Sequence, residues 1–347
     1  MNQTAPISRS ISFGLFLTGS LWVLAARSLA DHAATGFSAR FHLEIYAAFL
    51  AAAFLLFLVF TGFAAINWVA TRSANLREVN ALPVRATSRR EWGTGAALGW
   101  ALVVVAILPM ALAGDLHPNF WFQPRGFGLA LLSLLTLLIL TLAQEAVFRG
   151  FLFARLVRAI GPTLATILMS LIYTAVFAFH PESTRLSGFV AFLMSLLFSL
   201  AYLRTHALWL PWGLHFAWSA CTAVLFGLPV AGSAYISVID TATSGSAWLT
   251  GGLYGPEGAL FTAVVVLIGM AILYPLTRDL AWAYTHTPIV AAGQPMDIAP
   301  PPAHTAMEQA VAAKPAPLVQ ILSTTPSASS TLPIIDEHLR TNSPSDS

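Results

Sequence analysis

The sequence predicts an all-α fold, a polytopic membrane helix bundle of about eight transmembrane helices. Three observations carry this reading. Of 347 residues, 57% are hydrophobic and only 9% are charged, whereas an ordinary soluble domain carries about 25% charged residues. The apolar residues gather into runs of the length a bilayer demands, roughly 20 residues each. Arginines punctuate alternate loops between those runs, the pattern of the positive-inside rule. The formal net charge of +2 gives no reason to expect a nucleic-acid partner. A single cysteine, Cys221, excludes an internal disulfide and any cysteine-based metal cluster.

The runs are 11–30, 45–69, 94–113, 127–148, 163–179, 187–203, 211–228 and 259–276. The first follows Arg9 and ends in the small residues of "RSLAD", so a signal sequence is its alternative; its length favours a retained span. Between the second and third runs lies "RSANLREVNALPVRATSRREW", with Arg72, Arg77, Arg85, Arg89 and Arg90, the strongest cytoplasmic signal in the chain. Arg155 and Arg158 follow the fourth run, Arg204 the sixth, and Arg278 ends the eighth. The alternate loops hold Asp115, Asp240 and Glu257. An integral protein of a bacterial-type plasma membrane, with both termini cytoplasmic, is the expectation. The loop after the first run, with Arg27 and Arg40, fits it least well. From about residue 287 the chain turns to Pro, Ala, Ser and Thr, the composition of a disordered tail.

Polar chemistry enters the apolar runs in three places. The first is "LAQEAVFRGFLFARLVRAIGP", where Gln144, Glu145 and Arg149 interrupt the fourth run. Ionisable groups at membrane depth are costly and are functional candidates by default. Glu145 and Arg149 are four apart and share a helix face. The apolar pattern continues beyond them to Gly161 and Pro162, so one helix is predicted from near Phe127 to near Ile160. The second place is "LIYTAVFAFHPES", where His180 closes the fifth run. Glu145 lies about 16 residues before the Gly161 turn and His180 about 18 after it, so both stand roughly 25 Å from it on antiparallel helices. The third is "ALWLPWGLHFAWSACTAV", with His215 about one turn inside a helix begun by Pro211, and Ser219 four residues on.

Taken singly, each has a structural reading: an ion pair between helices, an interfacial histidine, a helix–helix hydrogen bonder. Together, on neighbouring spans, they read as a site. Glutamate with two histidines can activate water. The same three, Glu145, His180 and His215, can also ligate a divalent metal such as zinc; the sequence leaves a metal cofactor open. No H-E-x-x-H, no Ser/Lys pair and no G-x-S-x-G elbow is present.

"QEAVFRG", the His180 segment and "LWLPWGLHFAWS" resemble the CPBP family, also called Abi, which contains type II CAAX prenyl endopeptidases and bacteriocin-processing or immunity proteins. Its pattern is E-E-x-x-x-R, F-x-x-x-H and H-x-x-x-N/D on separate membrane helices. The resemblance spans roughly 94–275 and includes the loop "WLTGGLYGPEG". It implies a protease core over 93–285, preceded by transmembrane helices and a basic loop over 1–92 and followed by the tail, 286–347. It also implies catalytic roles for Glu145, Arg149, His180 and His215: glutamate and His180 for water activation, His215 for the oxyanion. The chain departs from the pattern at Gln144 for the first glutamate, Val176 for the aromatic (Phe177 is adjacent) and Ser219 for the Asn or Asp. Glutamine cannot take a proton, so Glu145 with His180, or His180 alone, is left as the base.

The leading expectation is an intramembrane endopeptidase acting on a membrane-associated peptide or protein within the lipid bilayer. A catalytically silent relative that binds a membrane peptide or partner is the alternative, favoured by Gln144 and Ser219. A proton-coupled transporter is the remote one.

Overall fold

The computed structural model describes residues 8–72 and 75–280. In chain order the helices are α1 (Arg9–Phe41), α2 (Ala47–Thr71), the one-turn α3 (Leu76–Val79), α4 (Ser88–Ala113), α5 (Pro124–Glu145), α6 (Phe151–Ile160), α7 (Pro162–Ala178), α8 (Arg185–Thr205), α9 (Trp209–Ala220), the short α10 (Ala247–Thr250) and α11 (Leu260–Leu276). Two strands, β1 (Leu116–Phe120) and β2 (Ile239–Thr243), pair antiparallel with Leu116 opposite Thr243. The fold is an all-α polytopic bundle, and every predicted run falls on a helix. Among the described residues, five helical stretches are long and apolar enough to cross a membrane. The expected tail, 286–347, lies outside the described residues.

Local chemistry sets the helix ends. The Ser8 side chain accepts a hydrogen bond from the Ile11 N–H and starts α1. Thr184 and Ser187 form a reciprocal capping box at the start of α8. Gly161, at φ 87°, takes the turn between α6 and α7 that a side chain would resist, and Pro162 opens α7 at a position needing no N–H.

α1 is a correction to the sequence reading. It runs for 33 residues, about 50 Å at the helical rise, so Arg27 and Arg40 belong to a helix and not to a loop. Arg27 pairs with Asp31 at 2.8 Å on the same face.

Among the described residues the core has two large parts and a small third one around Leu137, Ala223 and Val230. One large part gathers side chains from α1, α2, α6 and α7 around Phe63, Phe151 and Phe153; the other gathers α4, α8, α9 and α11 around Trp218, Phe198 and Leu197. Residues of the 1–92 segment therefore pack directly on those that follow. Between helices in lipid, close backbone approach replaces the hydrophobic drive. α4 and α9 use it: a Cβ on Gly95 or Gly99 meets the Leu210 or Leu214 carbonyl at 2.1 or 2.3 Å, and one on Gly213 meets the Trp92 carbonyl at 2.2 Å. α8 is the most enclosed of the long helices, 61% of its apolar window buried against 22% for α1. Leu21, Leu24, Phe57 and Leu112 point outward, the face a lipid phase requires.

The two ends of the bundle differ. At one, arginines tie the loops together: Arg85 donates to the Thr205 carbonyl at 2.9 Å, Arg204 to Thr277 Oγ1 at 3.0 Å, and Arg155 to Asn67. At the other stand the β1–β2 ribbon, His180 and a tight turn from Val230 to Ser233.

Candidate active site

The α5–α6 helix is continuous from Pro124 to Ile160, but Ala146–Gly150 form a π turn inside it. Such turns insert one residue and often mark functional sites. Glu145 immediately precedes this turn and Arg149 lies within it, yet the two still pair, Arg149 Nη1 donating to Glu145 Oε1 at 3.3 Å. Both are fully buried. Arg149 Nη2 also donates to the Ser195 carbonyl at 3.2 Å and to Ser195 Oγ at 2.7 Å. Its guanidinium stands over the rings of Tyr173, Phe198 and Phe148, at 4.7, 5.2 and 5.6 Å. A buried cation among aromatic faces and hydrogen-bond acceptors is compensated without water.

His215 is placed by α9, which Gly213 draws against α4 and which Trp212 ties to α5 by donating to the Leu138 carbonyl at 3.1 Å. Its Nδ1 lies 2.7 Å from Glu145 Oε1, and its ring stacks on Phe198 at 4.7 Å. With Glu145 ionised, Nδ1 is the donor, and the carboxylate fixes the imidazole's orientation.

Beside this cluster lies a cavity of about 510 Å³. Thr141 and Gln144 of α5 line it, as do Tyr173 and Phe177 of α7 and His180 just past its end. His215, Ser219 and Glu257 also line it, as do Arg27 and Tyr235. His180 is half-buried just past the end of α7, with Nδ1 accepting from the Glu182 N–H at 3.2 Å. The neutral ring therefore carries its proton on Nε2. Tyr254 meets the imidazole edge-on at 6.1 Å. Gly232, at φ 79°, presses so closely that an added Cβ falls 2.2 Å from the ring carbon Cε1.

The structure thus brings Gln144, His180, His215 and Ser219 to one cavity, and holds Glu145 and Arg149 behind His215. The sequence placed Glu145 level with His180 on a simple hairpin. Instead α7 packs mainly on α6 and α8, and it is Gln144, one position round the helix, that lines the cavity together with His180. The zinc option does not fit: among the described residues no group of three His, Cys, Asp or Glu side chains is arranged to hold a metal, so Glu145, His180 and His215 are not a ligand set.

The residue the sequence reading passed over is Glu257. It sits in "GPEG" before α11, and its carboxylate accepts from Trp218 Nε1 at 2.8 Å. Burial pushes the Glu257 carboxyl up from its ordinary range, opposed by His215, by the Trp218 hydrogen bond and by the Ala231 N–H. Burial, reinforced by Glu257, also pushes Tyr235 up to about 12, so its phenol remains a neutral donor. The available signal for Glu257 is a carboxylate inside the glycine-dense loop "WLTGGLYGPEG". Ser195 carried none, since α8 holds several serines in like surroundings.

Residues 126–221 match the family model of the type II CAAX prenyl endopeptidase Rce1-like proteins. No curated protein and no solved structure gives a significant match. The matched segment contains the π turn, Arg149, His180 and His215, and ends at Cys221, well before Glu257. Apolar helices of membrane-crossing length together with this match make the chain an integral membrane protein in which residues 126–221 are similar to the Rce1-like type II CAAX prenyl endopeptidases.

Proposed function

We propose that the protein is an intramembrane endopeptidase that hydrolyses a peptide bond of a membrane-associated protein or peptide. The observation that carries the reading is the polar cavity among apolar helices, lined by Gln144, His180, His215 and Ser219, inside the Rce1-like segment. His215, held by Glu145, stabilises the oxyanion that forms as water adds to the scissile carbonyl. Arg149 fixes Glu145. His180 Nε2–H and the Gln144 amide are donors that hold the water or the substrate carbonyl. Ser219 adds a single hydroxyl where the family pattern has an amide or carboxyl.

The positive-inside rule favours an orientation with the arginine-rich end and both termini in the cytoplasm of a bacterial-type plasma membrane. The cavity then opens on the opposite face.

Cleavage of a pooled library of lipid-anchored peptides, prenylated and unprenylated, by the detergent-solubilised protein tests the reading. Activity that falls by about 100-fold or more in His215→Ala supports it; equal cleavage by both proteins refutes it. Gln144 and Ser219 favour one other reading, a non-cleaving relative that binds a membrane peptide. Saturable peptide binding without turnover, lost in His180→Ala, is its signature.

A further inference from the structure

We propose that Glu257 is the carboxylate that takes the proton from the attacking water in this cavity, the part that Gln144 cannot take. The proposal rests on the endopeptidase reading and extends it to a residue outside the matched segment.

The other groups at the cavity are already committed. An amide holds no extra proton, so Gln144 is not a base. His180 Nδ1 accepts from the Glu182 N–H, leaving Nε2–H as a donor. Glu145 lies behind His215 and does not line the cavity. His215, held by Glu145, is already assigned to the oxyanion in the endopeptidase reading. Glu257 is the acceptor that remains.

Its position is built. Trp218 Nε1 and the Ala231 N–H donate to it. Ala231 and Gly232 are the central residues of one tight turn, at φ 48° and 79°, closed by reciprocal Val230 and Ser233 hydrogen bonds of 2.9 Å. The first central residue holds Glu257 and the second presses on the His180 ring. A left-handed alanine is unfavourable, and strain of this kind gathers at functional sites. One turn therefore touches both the carboxylate and the imidazole, and both line the same cavity.

The step balances. Glu257 takes one proton from water as the water oxygen bonds to the scissile carbonyl carbon, and the carbonyl oxygen becomes an oxyanion beside His215. The C–N bond then breaks, the carbonyl re-forms, and the proton passes from Glu257 to the leaving nitrogen. One peptide and one water give a new carboxyl terminus and a new amine, and Glu257 returns ionised. A carboxyl raised by burial is the better proton acceptor for this work.

The groups facing Glu257 are His215 from α9, Tyr173 from α7, and Tyr235 and Tyr254 from the loops. His180 and Arg27 line the same cavity. Glu257→Gln keeps an acceptor for Trp218 and loses only the basicity. Its kcat should fall by about 100-fold or more, with KM little changed. Its melting temperature at neutral pH should equal or exceed that of the wild type. The sign follows from the raised carboxyl: the folded state holds that proton more tightly, so stability is full below the unfolded pKa and is lost as pH rises through the folded one. The gap should close below about pH 4.

The same peptide library serves as the probe. Gln144→Glu with Glu257→Gln should recover at least about tenfold over Glu257→Gln alone. Trp218→Phe removes a hydrogen bond to the ionised form, so the acid limb of kcat should move to higher pH. Wild-type cleavage with Glu257→Gln within about threefold of it overturns the proposal and leaves the endopeptidase reading standing, well short of the ordinary general-base effect. A wild type that cleaves nothing overturns the endopeptidase reading and the proposal with it. Should Glu257→Gln fail to fold, an unmoved acid limb in Trp218→Phe overturns the proposal by itself.

Discussion

Arg149→Met isolates the energetics of the buried cluster. Methionine keeps much of the volume among Tyr173, Phe198 and Phe148 but removes the charge. Breaking a buried ion pair from one side costs about 3–5 kcal/mol, because the surviving charge stays desolvated. Here Glu145 would keep only His215, with Oε2 already lacking a partner, and Ser195 would lose its donor. The upper part of that range, near 5 kcal/mol, is expected. Removing both charges, with Glu145→Gln added, leaves no stranded ion. The double variant should be less destabilised than the sum of the singles by about 3 kcal/mol, the top of the range for residues in contact. Equilibrium unfolding in mixed micelles, followed by tryptophan fluorescence, measures the full cycle. A single-variant cost under about 1 kcal/mol, or additivity within about 0.5 kcal/mol, would refute the argument that this pair is a desolvated, mutually dependent unit.

Gly213→Val drives a side chain into the Trp92 carbonyl, 2.2 Å from the ideal Cβ, and should destabilise by about 1–3 kcal/mol or more in the same unfolding assay; a neutral result refutes the close α4–α9 packing. Gly232→Ala strains a left-handed residue and meets the His180 ring, so cleavage should be lost while the melting temperature falls only modestly; full activity means His180 is not seated as described. In a Cys221→Ala background, Ser244→Cys beside β2 should react with an impermeant maleimide from outside the cell, and Arg89→Cys only after lysis; the reverse pattern overturns the proposed orientation.

Sequence alone determined the bundle. A run of apolar residues long enough for a bilayer must be helical there, since only a helix satisfies its own backbone in lipid. The eight runs, the long α5–α6 helix, the turn at Gly161 and the Glu145–Arg149 pair follow from composition, spacing and breaker residues along one stretch of chain. The motif residues were legible for the same reason, because their spacings lie within single helices. Tertiary structure decided which side of each helix meets which neighbour. Periodicity cannot see the π turn at Ala146–Gly150, so it could not tell that Gln144 faces the cavity while Glu145 turns to His215. Nor could it recruit Glu257, which is 112 residues from Glu145 in sequence and arrives in the cavity only because a loop folds back over α9. Local patterns encode what a helix is. Which buried charges share a site depends on non-local packing, and desolvation gives those charges their chemistry only once that packing exists.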